Sequence, residues 1–503
     1  MDQDFHYYGT FAAARLARWN YKDAVLIARC ANYVDFFNEH RFRGYWKYTA
    51  NGKEIGKCDY PRYTFQYNLT GNAVGAEGLW SAFHFLPGNY RISLGLPSNT
   101  SISQNVHENL MDTKKIRLRQ EWNQKDMWRL TRPLSDLSRC IFQDTYELAK
   151  DLHEVKCILQ YGPGLSEFIE KETVLRRFLM ILTGIRAHVI CDTWAHQDFA
   201  AIASELNTYY DIDNPKLSRI SGKFGIKYTL DAQSTAWHYI VLGRLGQKYP
   251  FKNMPTHLFT GVFAGSPRGA GPLAWLGHGW MGHLPDYGFM KFQYRPYWKA
   301  DHEKHERNNP AVFMDAFFDL YHFLSVIKKP SGLLLPLRKG SIPEIKAAIG
   351  EGWSNDAGKK GKNNWYPRVL SAEAWRNCIK KLNLGNQDTI PYINTYVETG
   401  DHAELKGGKK DVYWTFKAGF GGKKTAYGTF TLNIIDQKIN EPSDFYLFQL
   451  AADYHFQYVK SWLLKFKKHQ LRDGWSIQPG PLGKDISNLT DARVIGKFKA
   501  SQR

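Results

Sequence analysis

Apolar residues recur at spacings of three and four along FAAARLARWNYKDAVLIARCANYVDFF, which predicts helix over most of residues 1–40. Residues 41–75 lose that period and carry turn-forming and aromatic residues, so they read as loop or short strand. Helical spacing returns within 105–160, where Pro133 and Ser135 precede LSRCIFQDTYELAKDLHEV. The longest helical stretch runs from about Ser166 to Leu206. Residues 207–275 are rich in Gly, Pro and Tyr, with a further helix predicted near 231–246. NPAVFMDAFFDLYHFLSVI is helical again, and Asn309 with Pro310 forms its start.

The pattern changes after Lys329. Residues 330–364 carry Pro, Gly and Lys. Residues 411–435 alternate apolar and polar positions, which predicts a β-hairpin turning at Gly421-Gly422. Ser443 to His469 form one amphipathic helix ending in KFKKH, where the lysines suit the helix dipole. The expected fold is mainly α. A multi-helix core over residues 1–329 carries the chemistry, and a smaller, basic, mixed α/β accessory module over 330–503 holds the hairpin and the closing helix.

Composition narrows the chemistry. The 503 residues are 43% hydrophobic, enough for a large core. The net charge of +19 is spread along the chain and draws polyanions such as nucleic acid or anionic lipid headgroups. The six cysteines are widely spaced with no CxxC pair, which argues against a disulfide framework and a zinc ribbon and fits a reducing compartment. The first residues, MDQDFHYYGT, contain no apolar signal segment, and no apolar run reaches the roughly 18 residues of a membrane span. The expectation is synthesis in the cytoplasm without a signal peptide, with export by a signal-independent route left open. No phosphate-cradling Gly-rich loop and no GxSxG elbow is present.

One stretch carries the chemistry: ILTGIRAHVICDTWAHQDFAA. His188, Asp192 and His196 stand four residues apart, so on a helix they share a face, drifting about 40° per step. Ile181, Ile185 and Phe199 extend the same stripe, so the face points inward. Buried imidazoles and a carboxylate are costly without partners, and a metal ion satisfies all three. His188 and Asp192 can chelate one ion. His196, about 12 Å further along the axis, suits a neighbouring one. Other segments supply further candidate ligands: Asp4 and His6 in DFHYY, Asp35 in NYVDFF, His84 in FHFLPG, and His278, His283 and Asp286 in LGHGWMGHLPDYG.

The order of these motifs resembles the zinc-dependent phospholipase C and single-strand-specific nuclease superfamily. MDQDFHYYGTFAAARLA, HFLPG, CDTWAHQDF and GHGWMGHLPD are similar still more closely to a bacterial family of unknown function with the same expected fold. The resemblance covers roughly residues 1–325. It implies an all-α hydrolase of phosphodiester bonds holding two or three zinc ions. By resemblance Asp35, His84, His188 and Asp192 hold one zinc, and His196, His278 and Asp286 a second. His6 with Asp192 helps hold a third, with Asp4 and His283 as additional candidates. Whether His278 or His283 pairs with Asp286 stays open. Asp35 matches the acid that orients or deprotonates the attacking water.

The expected function is therefore a zinc phosphodiesterase acting at a phospholipid surface or on single-stranded nucleic acid, in the setting of an antibacterial toxin. Residues 330–503 would serve as lid, delivery adaptor or docking surface, the last for a partner protein. The alternative is a non-catalytic, metal-stabilised helical protein that binds a polyanion or a partner protein.

Overall fold

The computed structural model describes residues 1, 4–37, 44–58, 61–65, 73–89, 127–202, 205–207, 209–210, 226–229, 277–278, 284–288, 291–296, 305–330, 336–350, 368–385, 414–418, 428–436, 439–467, 475 and 480–501. The helix expected near 231–246, the Gly421-Gly422 turn and His283 lie outside them.

The chain is mainly helical, as its periodicity predicts. The helices are α1 (Thr10–Leu16), α2 (Tyr21–Tyr33), α3 (Ala73–Phe83), α4 (Asp136–Lys150), α5 (Leu152–Leu159), α6 (Glu172–Ala195), α7 (Asn309–Lys328), α8 (Ile342–Gly350), α9 (Arg368–Lys381), α10 (Asp444–Lys467) and α11 (Ile486–Ser501). A short π-helical turn, Asp4–Gly9, precedes α1. Side-chain caps set several of the starts. Asn20 accepts from the Asp23 amide, Ser135 from Ser138 and Ser443 from Tyr446. Pro310 occupies the first turn of α7, where a missing N–H costs nothing.

The central element is α6, with α2, α3, α4, α5, α7 and α10 packed around it. Every residue from Ile181 to Ala195 is buried, polar ones included, so the helix is enclosed rather than amphipathic. Ile181, Ile185 and Val189 face one core, shared with Tyr33, Trp46, Phe445 and Trp462. Ala187, Ile190, Cys191 and Trp194 face another, shared with Phe5, Phe11, Phe313, Phe317 and Trp375. Aromatic edges meet faces there: Phe5 contacts Phe313 at 5.3 Å and Trp375 at 5.8 Å, both near perpendicular. Helix α7 is long and apolar enough to cross a membrane by length and composition, and in this fold it packs on α6 and α1.

Two small sheets flank the helices. The first has the order β2-β1-β8-β7, from β1 (Gly44–Ala50), β2 (Lys53–Cys58), β7 (Trp414–Ala418) and β8 (Gly428–Asn433). Asn51 and Gly52, both at positive φ, close the β1–β2 hairpin with the turn that matches strand twist. The antiparallel β7–β8 pair is the hairpin expected within 411–435. It is not confined to a C-terminal module, because β8 runs parallel to β1 with Trp46 opposite Phe430. The second sheet joins β3 (Tyr209–Tyr210), β4 (Ile226–Thr229), β5 (Lys291–Pro296) and β6 (His305–Asn308) around β5. Two short strands, β9 (Ile435–Asp436) and β10 (Glu441–Pro442), pair just before α10.

The partition expected at residue 329 does not divide the cores. Phe445, Phe448 and Tyr454 of α10 lie in the same core as Tyr33 and Phe37, and Trp375 of α9 packs on Phe5. Buried ion pairs tie the late helices inward: Asp453 of α10 binds Arg62 at 2.9 Å, and Arg493 of α11 binds Asp144 of α4 at 2.8 Å. The nearly continuous apolar run of α10 hides this role, since a helix buried all round and an amphipathic accessory helix share the same spacing.

His455, near the middle of α10, is fully buried, and its Nε2–H donates to the Ala82 carbonyl at 2.8 Å. That bond holds the end of α3, two residues before His84. Burial, reinforced by Arg186, pushes the His455 pKa down to about 3 from an unfolded value near 6.5. The unfolded chain therefore binds more protons between these values, so stability is full above about pH 6.5 and falls on acidification. The expected slope is about 1.4 kcal/mol per pH unit for this group. Thermal melts from pH 7 to 5 are expected to fall less steeply in His455→Gln than in wild type; parallel curves would show that His455 does not contribute.

Candidate metal centre

Four parts of the chain converge at the C-terminal half of α6. His188 and Asp192 project from α6 itself. His196 caps it, outside the helix rather than within it: α6 stops at Ala195, and only the His196 amide continues the ladder, to the Asp192 carbonyl at 2.8 Å. The helix expected to reach Leu206 ends early because the chain turns through Asp198, which sits at φ 78°. Asp35 lies in the turn after α2, His84 directly follows α3, and His6 sits in the π-helical turn. His278 follows Gly277, and Asp286 closes a short 3₁₀ turn, Leu284–Asp286.

These side chains form three groups whose ligand atoms lie within 4.8 Å of one another: His6, His188 and Asp192; Asp35, His84 and His188; and His196, His278 and Asp286. His188 belongs to two of them. All eight residues expected as ligands are thus brought together. The resemblance puts Asp192 with Asp35, His84 and His188 and again with His6; in the fold it groups with His6 and His188 but not with Asp35 and His84. Its Oδ2 nonetheless stands 3.2 Å from His84 Nδ1 and 3.0 Å from His188 Nε2, between the groups. His278 pairs with Asp286, at 3.3 Å. Asp4 is half-buried at the start of the π-helical turn and is in none of the three groups.

Backbone carbonyls fix the rings. His188 Nδ1–H donates to the Ala31 carbonyl at 2.8 Å, His84 Nε2–H to Thr64 at 3.0 Å, and His196 Nδ1–H to the His84 carbonyl at 2.5 Å. Each ring is left with one bare nitrogen lone pair turned into the site. This is how proteins hold metal-ligating imidazoles. Two such lone pairs, His84 Nδ1 and His188 Nε2, face each other at 3.3 Å. Neither ring readily takes a proton to relieve this. Burial pushes the His84 pKa down and the His188 pKa well down, the latter helped by His6. His6, stacked on His188 at 3.8 Å, is held down to about 4 by burial and by the neighbouring α-ammonium, and its Nε2 stands 3.1 Å from Asp192 Oδ1. Imidazole nitrogens aimed at one another and at shared carboxylate oxygens fit a cation.

The carboxylates fit one too. Burial works against ionising Asp192, but His196, the Met1 ammonium, His188 and His6 outweigh it and hold its pKa well below the usual range. The Met1 amine stands 2.5 Å from Asp192 Oδ1 and 3.2 Å from Asp286 Oδ1. Burial alone would lower its pKa, but Asp192, Asp286 and Asp35 raise it to about 11. Three acids and a single ammonium leave the site with a formal excess of negative charge. Among the described residues, five imidazoles and three carboxylates with no thiolate make up a nitrogen and oxygen donor set of the kind that divalent metal ions take.

The centre is closed on most sides. Phe85 stacks on His196 at 4.4 Å, and Trp80 and Phe65 flank His84. Gly277 is at φ +55°, and a Cβ there would stand 2.4 Å from the Phe85 ring, so only glycine brings His278 this close. Among the residues of the three groups Asp35 is the most exposed, at 26%, where His188 and Asp192 are sealed. Sequence reasoning named the eight side chains that the fold brings together. It missed the carbonyls that aim them and the Met1 amine, because backbone atoms carry no residue-type signal.

No curated protein and no solved structure matches the chain. One family model does, over residues 1–463, which extends far beyond the 1–325 of the motif resemblance and takes in most of α10. The chain belongs to that family, a family of unknown function (DUF6765).

Proposed function

We propose that this chain is a metal-dependent phosphodiester hydrolase whose centre holds two or more zinc ions. The observation that carries the reading is the pair of inward lone pairs on His84 and His188, 3.3 Å apart, with both N–H groups spent on carbonyls. Such an arrangement is repulsive without a cation beside it. Bound there, divalent ions act as Lewis acids on a phosphoryl oxygen and favour deprotonation of water.

The residues divide the remaining work. His6, His84, His188, His196 and His278 supply nitrogen donors, and Asp192 and Asp286 supply charge. Asp35 is the acid nearest solvent, with Oδ1 3.6 Å from His84 Nδ1 and 3.7 Å from His188 Nε2. It orients the attacking water and accepts its proton. The aromatic walls exclude other water, which strengthens every charge interaction inside. A net charge of +19 gathers anionic substrate, a phospholipid surface or single-stranded nucleic acid.

The test is hydrolysis of bis(p-nitrophenyl) phosphate, phospholipid vesicles and single-stranded DNA by the purified full chain. At least one substrate is expected to be cleaved, cleavage to stop after chelation, and zinc to restore it. Cleavage that survives complete chelation, or none on any substrate by protein loaded with zinc, would refute the hydrolase reading. In the second case a metal-stabilised binding protein would remain.

A further inference from the structure

Strand β6 and the first residue of α7 belong to none of the three ligand groups, yet they grip the backbone on both sides of two candidate ligands. Arg307 Nη2 donates to the Ala195 carbonyl at 3.0 Å and to Trp194 at 3.4 Å, and its Nη1 donates to Gln197 at 3.0 Å. These carbonyls flank His196, and they belong to the exposed negative end of α6, where a guanidinium is well placed. Asn309 does the same for Asp286. Its Nδ2 donates to the Tyr287 carbonyl at 2.9 Å and to Pro285 at 3.4 Å, one residue to either side. The two clamps are joined, because Arg307 Nη2 reaches Asn309 Oδ1 at 3.4 Å. His305, on the same strand, binds Asp198 at 2.9 Å, and Arg132 binds the other oxygen of Asp198 at 2.5 Å.

Two loops remote in sequence thus meet through one short segment, and His196 Nε2 is held 2.9 Å from Asp286 Oδ1. Arg307 and Asn309 are both fully or nearly fully buried, so these bonds are shielded from water and geometrically restrictive. The other two groups are aimed differently, by Ala31 of α2 and Thr64.

We propose that Arg307 and Asn309 are positioning residues for one ion only, the one held by His196, His278 and Asp286. The inference rests on the metal reading above. It assigns the centre a division: one part set by α2, α3 and α6, the other by the β6–α7 junction. The clamp works through main-chain carbonyls, so Lys in place of Arg307 keeps the charge but loses the fork that reaches Ala195 and Gln197 together.

Zinc binding to the full chain, titrated against a competing chelator, tests this in wild type, Arg307→Lys and Asn309→Ala. Should one variant fail to fold, the other still reports. Wild type is expected to show at least two classes of zinc. Each variant is expected to weaken one class by about 10- to 100-fold, the range for groups that orient ligands, and to leave the remainder unchanged. His278→Ala should weaken that same class. Equal weakening of every class, or a lower melting temperature with all zinc affinities intact, would overturn the clamp while leaving the metal centre standing. Wild type that binds no zinc would overturn both readings.

Discussion

His188→Ala is expected to remove more metal than any other single substitution in the centre, and with it the activity. His188 alone belongs to two of the three ligand groups, and it also stacks on His6 and faces His84. Its loss leaves Asp35 and His84 as one incomplete group and His6 with Asp192 as another. Metal content is expected to fall by more than one ion per chain, against about one for His278→Ala, which touches a single group. If several kcal/mol of transition-state stabilisation come from the ions, phosphodiester cleavage should fall by about 10³-fold or more. Mass spectrometry of bound metal and a turnover assay on the same preparations check both numbers. A His188→Ala chain that keeps its full metal content would show that the ligand assignment is wrong.

The second large effect lies outside the ligands. Gly184→Ala is expected to lower both stability and metal affinity. Gly184 stands one turn before His188 on α6, and a Cβ there would meet the Ile27 carbonyl at 2.5 Å and Cys30 Cβ at 2.7 Å. Ile27 stands one turn before Ala31 on α2. The close approach at 27 and 184 therefore sets the distance at 31 and 188, where the Ala31 carbonyl accepts the hydrogen bond from His188 Nδ1–H. Alanine forces α2 outward against a tightly packed core, at a cost of about 1–3 kcal/mol that exceeds its better helix propensity. The displaced carbonyl frees the His188 ring, and zinc affinity should fall about 10- to 100-fold. Denaturant unfolding and chelator competition measure the two parts. A more stable variant with undiminished affinity would mean that helix spacing does not aim the ring.

The helices and most of the ligands were legible in the sequence for separate reasons. Apolar spacing marks α2, α6, α7 and α10 because burial enforces it. The candidate ligands stand out because His and Asp on an inward face are anomalous: His188 and Asp192, four residues apart, are both buried and both belong to candidate ligand groups. The end of α6 was not legible. QDFAAIASEL continues the helical pattern, and the helix is stopped by tertiary partners, Arg307 on its carbonyls and the turn at Asp198. The role of α10 was misread for a related reason. Its spacing says that one face is buried, but only the fold shows that Asp453 and His455 are buried as well, each bonded to a partner far away in the sequence. Nor could residue types announce that β8 would pair in parallel with β1, some 380 residues earlier.

The account turns on metal ions lying among these eight side chains. The most direct measurement is an anomalous X-ray difference map, recorded at the zinc edge, from crystals of the full chain grown with zinc. Two or more peaks are expected, one beside His84 and His188 and one between His196, His278 and Asp286. A clean map in which those side chains keep the arrangement described, with no peak among them, would contradict the metal centre and the function built on it.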